Sequence, residues 1–348
     1  MPARSRIVHE IAAAGGWISF ARYMQLALHE PGIGYYASVA LRFGPGGDFV
    51  TAPELGSLFG RTLARQLGEF ERILEIGAGS GALADVLSQD REYLILETSA
   101  ELAARQRERL GGRVRHIQRL PERFRGAVIA NEVVDAMPVH IVHWSEREIL
   151  ERGVGPQLEW ADRPASGELL AAAQRIAQHS PIPAPYVSEI GLAARAWIRT
   201  IVESLEQGAI FIIDYGFPRH EYYHPQRTSG TLMCHYRHQA HADPFARPGK
   251  EDITAHVDFS ALAEAAGAAG AEVLGYASQA QFLVNCGITE VLAEANVENA
   301  LHYAPIAAQA QKLLSPAEMG ELFKVLAVGR RVPAPLAGFS RGDRRASL

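Results

Sequence analysis

Ile73-Leu74-Glu75-Ile76-Gly77-Ala78-Gly79-Ser80-Gly81-Ala82-Leu83-Ala84 sets an apolar run, a glycine-rich bend and a helical run in immediate succession. A strand that passes through such a bend into a helix brings backbone amides close to a ligand, because glycines at the bend admit left-handed backbone. The glycines follow the spacing G-x-G-x-G. The dinucleotide fingerprint G-x-G-x-x-G places its third glycine one residue later, and a pyrophosphate cradle is therefore not the first expectation. Glu97 ends the next apolar run, Tyr93–Leu96, twenty residues after Gly77. A carboxylate there accepts hydrogen bonds from both hydroxyls of a ribose. Taken singly, the glycines fit an ordinary tight turn and Glu97 a solvated strand-end acid; together with the strand they point to a nucleoside ligand.

Outward from this stretch, short apolar runs alternate with helical patterns. The runs are 73–76, 93–96, 127–130 and 209–213, and between them lie ALADVLSQ, SAELAARQRERL and SEIGLAARAWIRTIVESLEQG, the last expected to end at Gly208 as a helix C-cap. This alternation predicts an α/β fold, a mostly parallel sheet with helices on both faces. Residues 1–70 read as an N-terminal helical cap with a glycine-rich loop, and 71–217 as the core, with an insertion near 139–187 where VHIVHW and LEW suggest a hairpin. Residues 218–348 read as a lid or substrate region, with a helix near 258–269, strands at 272–276 and 323–328, and a frayed tail after Arg330.

Composition narrows the function. The 348 residues carry a formal net charge of -5, against a broad nucleic-acid-binding surface, and no apolar run reaches membrane-spanning length. Two cysteines, Cys234 and Cys286, exclude a disulfide framework and fit a reducing compartment, so a cytoplasmic protein is expected. His220, His224, His235, His238, His241 and His256 crowd one region beside Cys234, but without CxxC or HExxH spacing; no metal is expected.

The glycine spacing with Glu75 two residues ahead of Gly77 resembles the first motif of class I S-adenosylmethionine (SAM) methyltransferases. The cofactor loop is then Gly77, Ala78, Gly79 and Gly81, with Glu97 on the ribose. In VIANEVVDAMPVH, residues 128–140, Asn131, Glu132 and Asp135 follow the fourth strand, where the methyl acceptor of such enzymes sits. Two acids suit a cationic acceptor. A carboxylate pair grips both edges of a guanidinium, and one such contact near 4 Å is worth roughly 4 kcal/mol before desolvation at an effective dielectric near 20. In the plainer alternative these acids only cap the following turn.

Read in order, GGDFVTAPELGSLFG, LEIGAGSG, ANEVVDAMPVH, IIDYGFP, GTLMCHYRH and DITAHVDFSALAEAAG are similar to the MidA-type methyltransferases, bacterial relatives of the mitochondrial complex I assembly factor that dimethylates an arginine of a respiratory NADH dehydrogenase subunit. The resemblance runs from about Ile18 to Gly287. It implies a Rossmann-like class I methyltransferase fold, SAM as cofactor, and an arginine-bearing protein as acceptor. By the same resemblance Gly47, Asp48 and Thr51 join Asn131 beside the cofactor. Glu132 and Asp135 take the catalytic role. Phe49, Pro53, Glu54, Asp214, Tyr215, His238 and His256 line the acceptor side. Three alternatives stand beside this reading: a small-molecule N- or O-methyltransferase, a SAM-binding assembly factor without catalysis, and a nicotinamide oxidoreductase, the last disfavoured by the glycine spacing.

Overall fold

A computed structural model describes residues 2–37, 51–296, 298–332 and 335–348. The chain divides into two compact units, each drawn from three separated stretches.

One unit comprises residues 50–133, 198–216 and 262–348. Its sheet contains β1 (Arg72–Ile76), β2 (Glu92–Leu96), β3 (Arg115–Ile117), β4 (Phe124–Asn131), β5 (Leu205–Phe217), β6 (Glu272–Ser278) and β7 (Phe323–Arg330), in the order β6-β7-β5-β4-β1-β2-β3. Strands β1 to β5 pair in parallel, whereas β7 runs antiparallel to both β5 and β6. Chain order reverses between β1 and β4, so the loops after these two strands part in opposite directions and leave a crevice at their carboxyl ends. The middle strands read as near-continuous apolar runs because both faces are covered: Ile73, Ile95, Ala127, Ile129, Phe211 and Ile213 belong to one buried core, and Leu74, Leu94, Val128, Ala130, Ile210 and Ile212 of the opposite face are buried as well. Burying a side chain such as Phe211 stabilises the fold by about 1.5–3 kcal/mol.

Three sequence expectations change here. Gly208 is no helix cap: the helix ends at Ser204 and Gly208 lies within β5, facing Gly126 of β4 so closely that a Cβ would strike the Gly126 carbonyl oxygen. The tail is not frayed. Gly338 donates its N–H to Gln66 Oε1 (2.6 Å), Asn285 Nδ2 donates to the carbonyls of Gly338 and Arg341, and Phe339 packs on Phe282. The third correction, in the insertion, belongs to the other unit.

That unit comprises residues 1–49, 134–197 and 217–261. Helix Phe20–His29 is capped at its start by Ser19, whose Oγ accepts the Arg22 N–H (3.1 Å). In the insertion, His140–Trp144 pairs not with LEW but with Ile149–Val154, and Trp160–Pro164 pairs on the far side of Ile149–Val154. The middle strand carries Glu151, Arg152 and Gly153, which hid its apolar pattern. Tyr186–Ile190 flanks His140–Trp144, and helix Gly167–His179 places Leu169, Ala172, Ala173 and Ile176 in a core with Trp144, Tyr186, Tyr222 and Tyr223. Met233–Tyr236, Gln239–His241 and Asp252–Thr254 form a second, small sheet. Among the described residues no helix is long and apolar enough to cross a membrane.

Candidate functional site

Strand β1 runs into the glycine bend with Gly77, Gly79 and Gly81 all in the left-handed region, at φ 69, 55 and 80°. Space matters as much as backbone freedom: a Cβ on Gly77 would stand 3.0 Å from Val133 Cγ2, and one on Gly81 3.1 Å from Leu110 Cδ1. The Gly77 N–H donates to the Leu96 carbonyl (3.3 Å), tying the bend to the end of β2, and the helix Ala82–Leu87 follows at once.

Glu97 stands one residue beyond β2, with 8% of its surface exposed. Oε1 accepts the Ser99 N–H (2.8 Å) and Oε2 accepts from Gln106 Nε2 (3.1 Å). Burial raises its pKa above the usual carboxylate range, against the lowering by these donors. An ionised carboxylate has about four lone-pair sites, so the donors from the fold leave capacity for ribose hydroxyls. The glycine bend and this carboxylate therefore fit an adenosyl group. Glu75, inside β1, is buried and accepts from Tyr93 Oη at 2.7 Å; burial pushes its pKa up to about 7.

At the end of β4, Glu132 adopts φ 53°, a left-handed conformation that costs a non-glycine residue about 1–3 kcal/mol and that clusters at functional sites. Its N–H donates to the Ile213 carbonyl (2.9 Å), and its Oε1 accepts the Ala52 N–H (3.2 Å) and Asn131 Nδ2 (3.3 Å). Asn131 Oδ1 is buried and finds no hydrogen-bond donor among the described residues. Thr51 precedes a 3-10 turn, Ala52–Leu55, that contains Pro53. Glu54 of this turn points at the glycine bend, where its carboxylate accepts the Ser80 hydroxyl, and Arg109 donates to the same hydroxyl oxygen (3.1 Å). The turn thus touches both the bend and Glu132. Asp214 is fully buried near the end of β5, with Oδ1 accepting the Tyr215 N–H (2.9 Å), and the Tyr215 ring meets Phe323 edge-on. Gly47, Asp48 and Phe49 lie outside the described residues.

In the other unit Asp135 is 7% exposed, and its carbonyl accepts the Ala255 N–H (3.0 Å). Tyr36 Oη donates to Asp252 Oδ1 (2.8 Å); burial first, then the charges of Asp252 and Asp135, push the phenol well above its ordinary pKa. His29 stacks on Tyr36, and burial lowers its pKa, favouring the neutral ring. The His256 N–H donates to Thr231 Oγ1 (3.0 Å) and its ring meets Phe217. His238 sits apart from these, exposed with φ 61° at the turn between Met233–Tyr236 and Gln239–His241. Among the described residues no group of three or more His, Cys, Asp or Glu side chains could hold a metal ion.

The motifs missed Gln106 and Tyr36. The signal for Gln106 was present: it occupies the buried stripe Leu102, Ala103, Gln106, Leu110 of its helix, where a polar residue calls for a partner.

Residues 58–277 match the family described as "Putative S-adenosyl-L-methionine-dependent methyltransferase". A crystal structure of a "likely methyl transferase" from Burkholderia thailandensis, bound to S-adenosyl-homocysteine, is 49% identical, covers 99% of this chain and 96% of its own, and superposes with a TM-score of 0.94. "Protein arginine methyltransferase NDUFAF7, mitochondrial" of Danio rerio is 29% identical over 90% of this chain and 84% of its own length. The corresponding homolog of Drosophila melanogaster is 28% identical over 93% and 86%.

Proposed function

Since this chain belongs to the MidA-type family of SAM-dependent methyltransferases, we propose that it methylates an arginine side chain of a partner protein, in the cytoplasm, with a subunit of a respiratory NADH dehydrogenase as the favoured partner. The relatives named for arginine methylation support the acceptor class. The observation that carries it is Glu132: a carboxylate held on strained backbone at the end of β4.

The bend Gly77, Ala78, Gly79, Gly81 and the Glu97 carboxylate are assigned to the adenosyl and ribose groups, with Asn131, Thr51, Gly47 and Asp48 beside them. When bound, SAM supplies an electrophilic methyl group on a sulfonium. Glu132 and Asp135, three residues apart, are assigned to the guanidinium. A carboxylate that accepts two guanidinium N–H groups fixes which nitrogen is presented and offsets its positive charge. The same carboxylate takes the proton that must leave before that nitrogen regains a usable lone pair. Asp214, Tyr215 and His256 are assigned to the acceptor side.

Mass spectrometry of arginine methylation in cells with and without the gene tests the reading. Arginine peptides methylated only when the gene is present are expected, and complementation with Glu132→Gln should leave them unmethylated, with the rate in vitro down about 100-fold or more. Identical methylation in both cells, or full restoration by Glu132→Gln, would sink it.

A further inference from the structure

We infer that Gln106 is the positioning residue that locks the two halves of the cofactor site, the glycine bend and the ribose carboxylate, into one geometry; this rests on the assignment of Gly79 and Glu97 to cofactor binding. Gln106 is fully buried. Its Nε2 donates to the Gly79 carbonyl (2.9 Å) and to Glu97 Oε2 (3.1 Å), and its Oε1 lies 3.0 Å from His116 Nε2 on the edge strand β3. The amide orientation is dictated by these partners, because the reverse would set a carbonyl oxygen against two acceptors. It follows that His116 donates from Nε2, and every donor and acceptor of the side chain is used.

A neutral amide suits the place. It must donate twice and accept once, which neither a lysine nor a carboxylate does. A cation there would also cancel part of the charge that Glu97 offers to ribose hydroxyls, whereas an amide aims the carboxylate and leaves that charge in place. Through Gly79 the same group fixes the second glycine of the bend. Through this side chain the helix Ala100–Leu110 sets both the position of Gly79 in the bend and the orientation of the Glu97 carboxylate.

Titration calorimetry with S-adenosylhomocysteine tests the inference in a double-mutant cycle of Gln106→Met and Glu97→Gln. Methionine keeps the volume and removes the hydrogen bonds. Gln106→Met should weaken binding about tenfold, and by no more than about threefold when Glu97 is already glutamine, since a residue acting through another loses its effect with it. Discrimination between S-adenosylhomocysteine and its 2′-deoxy analogue should shrink in Gln106→Met, a change that general loosening would not produce. Binding within twofold of wild type, or an equal loss in both backgrounds, overturns the inference. If Gln106→Met does not fold, His116→Phe decides: a loss of about threefold supports the lock and wild-type affinity refutes it. If Glu97→Gln itself binds like wild type, the cofactor assignment fails, and this inference with it.

Discussion

Two buried carboxylates, one in each unit, show how differently the same group is used. Glu189, at 2% exposure, is saturated by its own fold: Oε1 accepts the N–H groups of Thr231 (2.9 Å) and Leu232 (3.0 Å), while Oε2 accepts the hydroxyls of Thr231 (3.1 Å) and Tyr222 (3.2 Å). A Cβ on Gly230 would collide with Oε1, so the turn that delivers these donors closes directly on the carboxylate. Among the described residues Glu97, at 8% exposure, accepts from the Ser99 N–H and Gln106 Nε2, with the Thr98 backbone also favouring its charged form. Both acids carry a desolvation cost. In Glu189 internal donors offset it, and the residue is a strut. In Glu97 part of the acceptor capacity is kept, in line with the ribose role proposed for it. Counting donors supplied by the fold separates structural acids from binding acids where burial alone does not.

The sharpest way to break this comparison is Glu189→Ala. It strands four donors, the Tyr222 hydroxyl fully buried and the others partly so, and is expected to cost about 3–5 kcal/mol of stability, read from the denaturant midpoint. A loss under about 1 kcal/mol would show that the donors relax to other partners. Next in size, Glu97→Gln should weaken S-adenosylhomocysteine about 10- to 100-fold, roughly 1.4–2.8 kcal/mol, while shifting stability by less than about 1 kcal/mol. Equal damage to stability in both variants would erase the distinction.

Glu75 extends the series to a single donor, Tyr93 Oη. Burial raises its pKa from 4.5 to about 7 in the folded chain, so between these values the folded state binds more protons than the unfolded one. Its contribution to stability is fully present below about pH 4.5 and is lost as pH rises through about 7. Glu75→Gln keeps an acceptor for Tyr93 and removes the titration. The variant should therefore gain about 1 kcal/mol or more over wild type at pH 8, and the gain should vanish below pH 4.5. Parallel stability curves for the two proteins would show that Glu75 titrates alike in the folded and unfolded chain.

Much of the sheet was legible because its central strands are largely apolar and two of them end in a glycine bend and an acid. β3 was not: three residues, Arg115, His116 and Ile117, carry too little pattern to reveal an edge strand. Gly208 was misread because glycine marks helix ends and close backbone contacts alike, and only the facing Gly126 distinguishes them. The tail was misread because its anchors, Gln66 and Asn285, are remote in sequence. Within the site, Glu97 and Glu132 sit at motif positions. Gln106, Glu189 and the Tyr36–Asp252 pair draw their significance from partners tens to hundreds of residues away, which spacing does not encode.

The left-handed backbone at Glu132 makes its junction with the Ala52–Leu55 turn a sprung catch. The hydrogen bond from Ala52 helps to hold a conformation that the residue would not choose alone. If the turn lifts, that bond is lost while the Glu132 N–H keeps the Ile213 carbonyl, so the acid changes partners without the strand end having to move.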